Sequence, residues 1–414
     1  MSCAIAITQI GLCTPLGNSS KDVLQNLLSA STDAMVLRDD LLFNASTRVG
    51  AINNANLLDI PAELTQFDCR NNQLLYTAAA SITADIEHAK KQYGADRVAV
   101  VLGTSTSGIS KGEAALAYHQ QHGEFPPSYH YAQQELGSAS DFLRQLYQLS
   151  GPCYTVSTAC SSSAKVFASA KRLLLADLCD VVIVGGVDSL CQLTLNGFNA
   201  LESVSKGLCN PFSQHRDGIN IGEGAALFVL KKAQEDAQSR SKSQVYLAGI
   251  GESSDAHHIS APHPQGLGAI SAMQAALADA SITSAQISYV NLHGTATPKN
   301  DAMESLAMQQ VFNSSNNNEA ASIPLCSSTK PLVGHCLGAA GAIEAAFCYL
   351  LLSDANLQQQ LPPHVWDQQQ DMNNPILPFV TPGQSAELTF IMSNSFAFGG
   401  SNASVIFAKC GALT

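Results

Sequence analysis

Short runs of apolar, largely β-branched residues alternate along the chain with longer alanine-rich stretches, a pattern that predicts strands succeeding helices in an α/β fold. Strands are expected at residues 4–7, 97–102, 181–184, 226–230, 287–290 and 388–392, and helices directly after Cys160, over 269–280 and over 338–352. The runs are apolar almost without interruption, which predicts buried and largely parallel strands. The first series of elements ends near Lys232 and a new strand begins near Val245. The polar stretch 237–243 between them is the expected boundary, dividing the chain into halves 1–243 and 244–414. No internal repeat is visible at the level of residues. The Asn-rich segment from Asn313 to Glu319 reads as a surface loop.

Composition narrows the class. The 414 residues are 46% hydrophobic and 13% charged, enough apolar material for a large core. A net charge of −12 opposes nucleic acid and anionic membrane as general partners. No stretch is long and apolar enough to span a bilayer, and residues 4–7 read as a strand instead of a secretion signal, so a cytoplasmic location is expected. Twelve cysteines without metal-type pairing fit a reducing compartment better than a disulfide framework.

One of those cysteines stands apart. Cys160 lies in Val156-Ser157-Thr158-Ala159-Cys160-Ser161-Ser162-Ser163, where an apolar strand runs through small residues into a helix. A thiol at a helix N-terminus faces free backbone N–H groups and the positive end of the helix dipole, so a thiolate is expected there. Two histidines downstream, His293 in Leu292-His293-Gly294-Thr295-Ala296-Thr297 and His335 in Val333-Gly334-His335, also follow short apolar runs, flanked by glycine and hydroxyl residues. Tight turns of that composition bring an imidazole to a pocket floor. With Lys330, the three make a candidate nucleophilic site.

With these motifs the chain resembles the β-ketoacyl synthases, condensing enzymes of the thiolase superfamily. The resemblance rests on Ser157 to Ser162, Asn210-Pro211-Phe212, Arg216-Asp217-Gly218, Gly222-Glu223-Gly224-Ala225, His293 to Thr297 with Asn300-Asp301, Thr329-Lys330, Gly338 to Glu344, and Ser393 to Asn402. It implies a five-layer αβαβα sandwich of two similar halves. It also implies a 3-oxoacyl-[acyl-carrier-protein] synthase, joining malonyl carrier protein to an acyl chain on Cys160 in fatty-acid or polyketide (for instance aryl polyene) synthesis. His293 and His335 are then the donors to the malonyl thioester oxygen, and Lys330 with Glu344 holds them or forms a plain structural ion pair. The N–H groups of Cys160 and Phe398, in Phe398-Gly399-Gly400, are the implied oxyanion donors, and Phe398 is the implied gate. Ala397 stands where the family usually has glycine.

Thr295 and Thr297 are candidate binders of the phosphopantetheine arm, with turn chemistry as the alternative. Phe212 is a candidate substrate contact. Ile109 either lines the acyl pocket across a dimer interface or belongs to the core. Acyl carrier protein is acidic, so docking calls for a local basic patch, and Arg70 and Lys206, with help from Arg216 or a partner subunit, are the candidates. No cofactor beyond the carrier's phosphopantetheine is expected. His293 and His335 lack zinc-ligand spacing, and His257, His258 and His263 read as a loop beside the pantetheine channel, so no metal is expected. Cys336 follows His335 but sits within a complete Gly-His motif, which disfavours the two-cysteine thiolase chemistry. A homodimer and a heterodimer with a chain-length factor are both open. The chain itself is not expected to be such a factor, because those subunits generally lack the nucleophile. The short connection from Leu201 to Pro211 looks more like the polyketide-type relatives.

Overall fold

A computed structural model describes residues 4–233, 244–313 and 323–412. Its strands are β1 (Ile5–Cys13), β2 (Met35–Leu42), β3 (Ala45–Gly50), β4 (Val98–Gly103), β5 (Cys153–Val156), β6 (Val181–Asp188), β7 (Gly224–Lys232), β8 (Val245–Ser254), β9 (Ile287–Asn291), β10 (Leu325–Ser327), β11 (Phe390–Phe396) and β12 (Ser401–Lys409). β2 and β3 form a separate hairpin, and the other ten make one ladder in the order β10-β9-β11-β12-β8-β1-β7-β6-β4-β5.

The duplication hidden at residue level is plain in this order. Numbering the five ladder strands of each half along the chain, β1-β7-β6-β4-β5 and β8-β12-β11-β9-β10 both read 1-5-4-2-3. In both halves the pairings run antiparallel, antiparallel, parallel, parallel. The halves join where β1 meets β8, from Ile5 opposite Leu247 to Ile7 opposite Val245. The expectation of a largely parallel sheet is corrected, since the pairings at the centre of the ladder are antiparallel. Their strands are nonetheless buried on both faces, which is why they carry the apolar signature of parallel ones.

Alternation along single strands shows the layers. In β4, Val98, Val100 and Leu102 pack under the helices Arg70–Ala80, Thr83–Tyr93 and Ser138–Leu146, whereas Ala99 and Val101 face the middle of the molecule. In β12, Ala403, Val405 and Phe407 face that same middle, and Ile406 and Ala408 pack under the helices Leu267–Ala280 and Pro298–Asn313. The central layer is the helix pair Ser162–Leu175 and Ala340–Leu352. Every residue of the second except Tyr349 is buried, as a helix between two sheets requires. The pair crosses at small residues: a Cβ on Gly341 would lie 2.8 Å from that of Ala164, and Ala342 N–H donates to Ser163 Oγ at 2.8 Å. The result is the thiolase-like five-layer αβαβα sandwich.

The predicted strands at 97–102, 181–184, 226–230 and 287–290 are present, and that at 388–392 begins at Phe390. The expected boundary at 237–243 lies outside the described residues, as does the Asn-rich loop beyond Asn313, which closes a helix. No helix among the described residues is long and apolar enough to cross a membrane. The eleven described cysteines are free thiols.

Candidate active site

Three strand ends and two loops build one pocket. β5 leads to Ala159, held in the left-handed region at φ 53°, and the next residue, Cys160, precedes the central helix Ser162–Leu175. β9 leads to His293, and β10 leads through the short helix Lys330–Val333 to His335. Gly334, at φ 73°, makes the turn that admits His335, whose N–H donates to Asn220 O at 2.6 Å and whose carbonyl accepts from Gly222 N–H at 3.0 Å. One nitrogen of each imidazole and the Cys160 sulfur all lie within 4.8 Å of one another. The two rings are edge to face, centroids 5.4 Å apart. The pocket is lined by Cys160, His293, His335, Thr295, Thr297 and Phe398, together with Phe198, Ile219 and Asn300.

Electrostatics set the resting protonation states. Burial holds both imidazoles well below the usual histidine range, and the nearby Lys330 ammonium pushes the same way, so both are neutral at physiological pH. None of their four ring nitrogens has a protein partner, which leaves them free for a ligand. Lys330 donates to His293 O at 2.7 Å and forms a fully buried ion pair with Glu344. The expectation of a resting thiolate is corrected. Burial pushes the Cys160 thiol up to about 11, outweighing Lys330 and the N–H groups of Phe398 and Cys160 that pull it down. Both of those N–H groups act directly on the Cys160 sulfur. Alkylation of Cys160 by iodoacetamide should therefore climb about tenfold per pH unit across pH 7 to 9.5, with no plateau, because the thiolate fraction is still rising. A rate levelling off below pH 8, followed by mass spectrometry, would contradict a buried neutral thiol.

Two carboxylates that received no role from sequence hold the His293 to Thr297 loop. Glu304 accepts from His293 N–H at 2.9 Å and Gly294 N–H at 2.8 Å, and Asp301 accepts from Thr295 and Ala296 N–H at 3.0 and 3.1 Å. Both project from one face of the helix Pro298–Asn313, three residues apart, a spacing that could have flagged them. Burial raises them to about 7 and about 6. Thr295 and Thr297 share a hydrogen bond of 2.9 Å between their hydroxyls at the pocket wall.

The turn Phe398–Gly400 places the Phe398 ring 5.7 Å from that of Phe198. Ala397 sits at φ −86°, ψ 153°, extended backbone that alanine adopts without strain. Phe198 comes from a segment without a motif and Ile219 lies between two motifs without belonging to either, and only the contact with Phe398 and the histidine pocket singles them out.

Not every expected residue reaches the pocket. Phe212 is buried beside Phe379 and His364, ring centroids 5.3 and 5.9 Å away, behind Gly294. Ile109 opens the helix Ile109–His122, half-buried and away from the pocket lining. Arg70 is withdrawn as a docking residue. It forms a bidentate pair with the fully buried Glu223 at 2.5 and 2.6 Å and also bonds Asn54 and Ile52. Arg216 likewise turns inward, to Asp371 at 2.7 Å. Lys206 remains exposed, and neither it nor the exposed Lys299 makes an ion pair among the described residues. The two flank neighbouring segments: Lys206 N–H donates to Asp217, and Arg216 Nη2 donates to Pro298 O.

A cation could be spanned by Cys160, His293 and His335, the one such group among the described residues. The buried Lys330 ammonium, whose charge is felt by all three, opposes a divalent ion there.

A curated relative from Staphylococcus aureus (strain COL), "3-oxoacyl-[acyl-carrier-protein] synthase 2", is 31% identical over 98% of both chains. Among solved structures, the "Ketosynthase (ApeO) in Complex with its Chain Length Factor (ApeC) from Xenorhabdus doucetiae" includes a chain that is 41% identical, with TM-score 0.89 over 99% of this chain and 98% of that one. A beta-ketoacyl synthase from Burkholderia phymatum STM815 is 26% identical with TM-score 0.83, over 98% and 99%. The family models for the beta-ketoacyl synthase N-terminal domain and C-terminal domain match residues 3–236 and 245–364, and the chain belongs to the beta-ketoacyl synthase family of condensing acyltransferases.

Proposed function

We propose that the pocket carries an acyl chain on Cys160 and extends it by two carbons with malonyl carrier protein. The observation that carries this reading is the meeting of Cys160 with two neutral, unpartnered imidazoles on one pocket floor. In the first half-reaction the sulfur attacks the acyl thioester, a C–S bond forms, and the bond to the phosphopantetheine sulfur breaks. The neutral imidazoles lie close enough to take the thiol proton, which then passes to the departing thiolate. The tetrahedral oxyanion faces the N–H groups of Cys160 and Phe398.

In the second half-reaction the bond between the malonyl methylene and its carboxylate breaks and carbon dioxide leaves. The electron pair moves onto the thioester oxygen, where His293 and His335 donate hydrogen bonds. The enolate carbon then attacks the Cys160 thioester, and the sulfur departs as thiolate and takes a proton from solvent. A neutral imidazole suits this step because it donates without contributing a charge that would hold the malonyl carboxylate in place. Lys330 and Glu344 hold His293 from behind through its carbonyl. This chemistry runs on the chain's own residues and calls for no metal.

Thr295 and Thr297 are placed for the amide groups of the arm, and Lys206 with Lys299 for the acidic carrier protein. Charge reversal at both lysines should raise KM for carrier protein roughly three- to tenfold with kcat little changed, as rim charges act mainly on association. An unchanged KM in steady-state kinetics would remove the docking assignment. The polyketide-type branch, for instance aryl polyene synthesis, is the pathway we favour over fatty-acid synthesis, supported by the 41% identity to the ketosynthase–chain length factor structure. A dimeric state, with a second copy or a chain-length-factor-like subunit, is supported by the exposed Leu116, Phe125, Tyr131 and Leu136 and by β5 standing at the end of the ladder. The free thiols support a cytoplasmic location. Product analysis with straight-chain and aryl starters tests the reading: a 3-oxoacyl product two carbons longer supports it, and its absence with every starter contradicts it.

A further inference from the structure

Asp188, the last residue of β6, is fully buried and has no cationic partner among the described residues. Its carboxylate nonetheless accepts five hydrogen bonds. Oδ1 accepts from Thr104 Oγ1 at 2.7 Å, Ser105 N–H at 2.8 Å, Thr106 N–H at 2.7 Å and Thr106 Oγ1 at 2.8 Å. Oδ2 accepts from Ala339 N–H at 3.1 Å. The first four donors belong to the loop that follows β4, and from that loop Ser105 Oγ donates to Ala159 O at 3.3 Å, on the elbow beside Cys160. The fifth belongs to the turn Leu337–Ala339, which begins two residues after His335. A Cβ on Gly338 would lie 2.8 Å from Oδ2 and 2.6 Å from Ser105 Oγ, so the carboxylate, the loop and the turn are packed without room to spare.

We propose that Asp188 is a positioning residue that sets the placement of His335 against Cys160, one oxygen anchoring the loop under the nucleophile elbow and the other the turn behind the histidine. It touches no reacting atom. A five-donor shell of this kind fits an ionised carboxylate, an acceptor at every lone pair, and no neutral residue of the same size reproduces it. The inference rests on the roles proposed above for Cys160 and His335, but the geometry it describes does not.

The two oxygens make the test selective. In Asp188→Asn the amide oxygen can keep the four loop donors, whereas the amide NH₂ meets the N–H of Ala339, donor against donor. The turn behind His335 loses its tether to β6 and keeps only its own bond from Ala339 N–H to Cys336 O at 2.9 Å, while the elbow is kept. In Asp188→Ala both ends are released. Hydrogen exchange on the full chain should show lost protection at residues 336–339 alone in the Asn variant, and at 104–106 as well in the Ala variant. Condensation should fall roughly 10- to 100-fold in Asp188→Asn, the scale of a misplaced catalytic group, while Cys160 acylation falls far less. In Asp188→Ala both half-reactions should fall. Unchanged exchange at 336–339, or acylation and condensation falling in parallel in the Asn variant, would overturn the assignment. Failure of the functional reading itself would show in the wild-type chain as no Cys160-dependent adduct, and the exchange pattern still decides the placement.

Discussion

Replacing His293 or His335 by alanine is expected to lower condensation about 10²- to 10³-fold each, the cost of removing one donor to a developing oxyanion. Each ring is neutral because it is buried and because Lys330 is near, and neither nitrogen of either ring is engaged by the protein. On the proposed mechanism these donors await charge that develops only as carbon dioxide leaves. The double replacement should cost less than the product of the single ones, since both donors serve one oxygen. Acylation of Cys160 should fall less than condensation in each single variant, because the remaining imidazole is still within reach of the thiol proton. Release of carbon dioxide from malonyl carrier protein, measured apart from condensation, separates the two effects. If that release kept its wild-type rate in both single variants, the histidines would have another task. Loss of fold would appear as a lowered Tm, and Glu304 and Lys330, which hold the His293 backbone, remain in place to resist it.

The parts of this site legible in the sequence are those where local chemistry and backbone geometry coincide. Cys160, His293 and His335 each close an apolar run at a turn of small residues, and the turns proved to be the ends of β5, β9 and β10. What escaped depends on partners distant in the chain. Arg70 reads as a free cation until Glu223, 153 residues away, is folded against it. The Cys160 thiol reads as activated because the helix N-terminus is local, whereas the burial that outweighs it is assembled from both halves. Phe198 lies in no motif, and Ile219 falls between two of them. The mixed sheet was misread for a related reason: strand direction follows from the connections, while apolar runs report only that both faces are covered. The doubled topology, implied by the family resemblance, leaves no residue-level repeat because packing constrains the order and direction of strands more tightly than it constrains which apolar residue fills each site.

Cys160→Ala should bring the largest change, a loss of condensation on the order of 10⁵-fold or more, comparable to deleting the nucleophile of other covalent catalysts. Malonyl decarboxylation should survive it, since the donors to that enolate are His293 and His335 and the small alanine leaves the pocket floor open. The most direct measurement of the central claim is the intact mass of the wild-type chain and Cys160→Ala after incubation with acyl carrier proteins, before malonyl carrier protein is added and after. The account predicts an acyl adduct on the wild type alone, discharged by malonyl carrier protein as a 3-oxoacyl product two carbons longer. An adduct that persists in Cys160→Ala, or no adduct on the wild type with any starter, would contradict it.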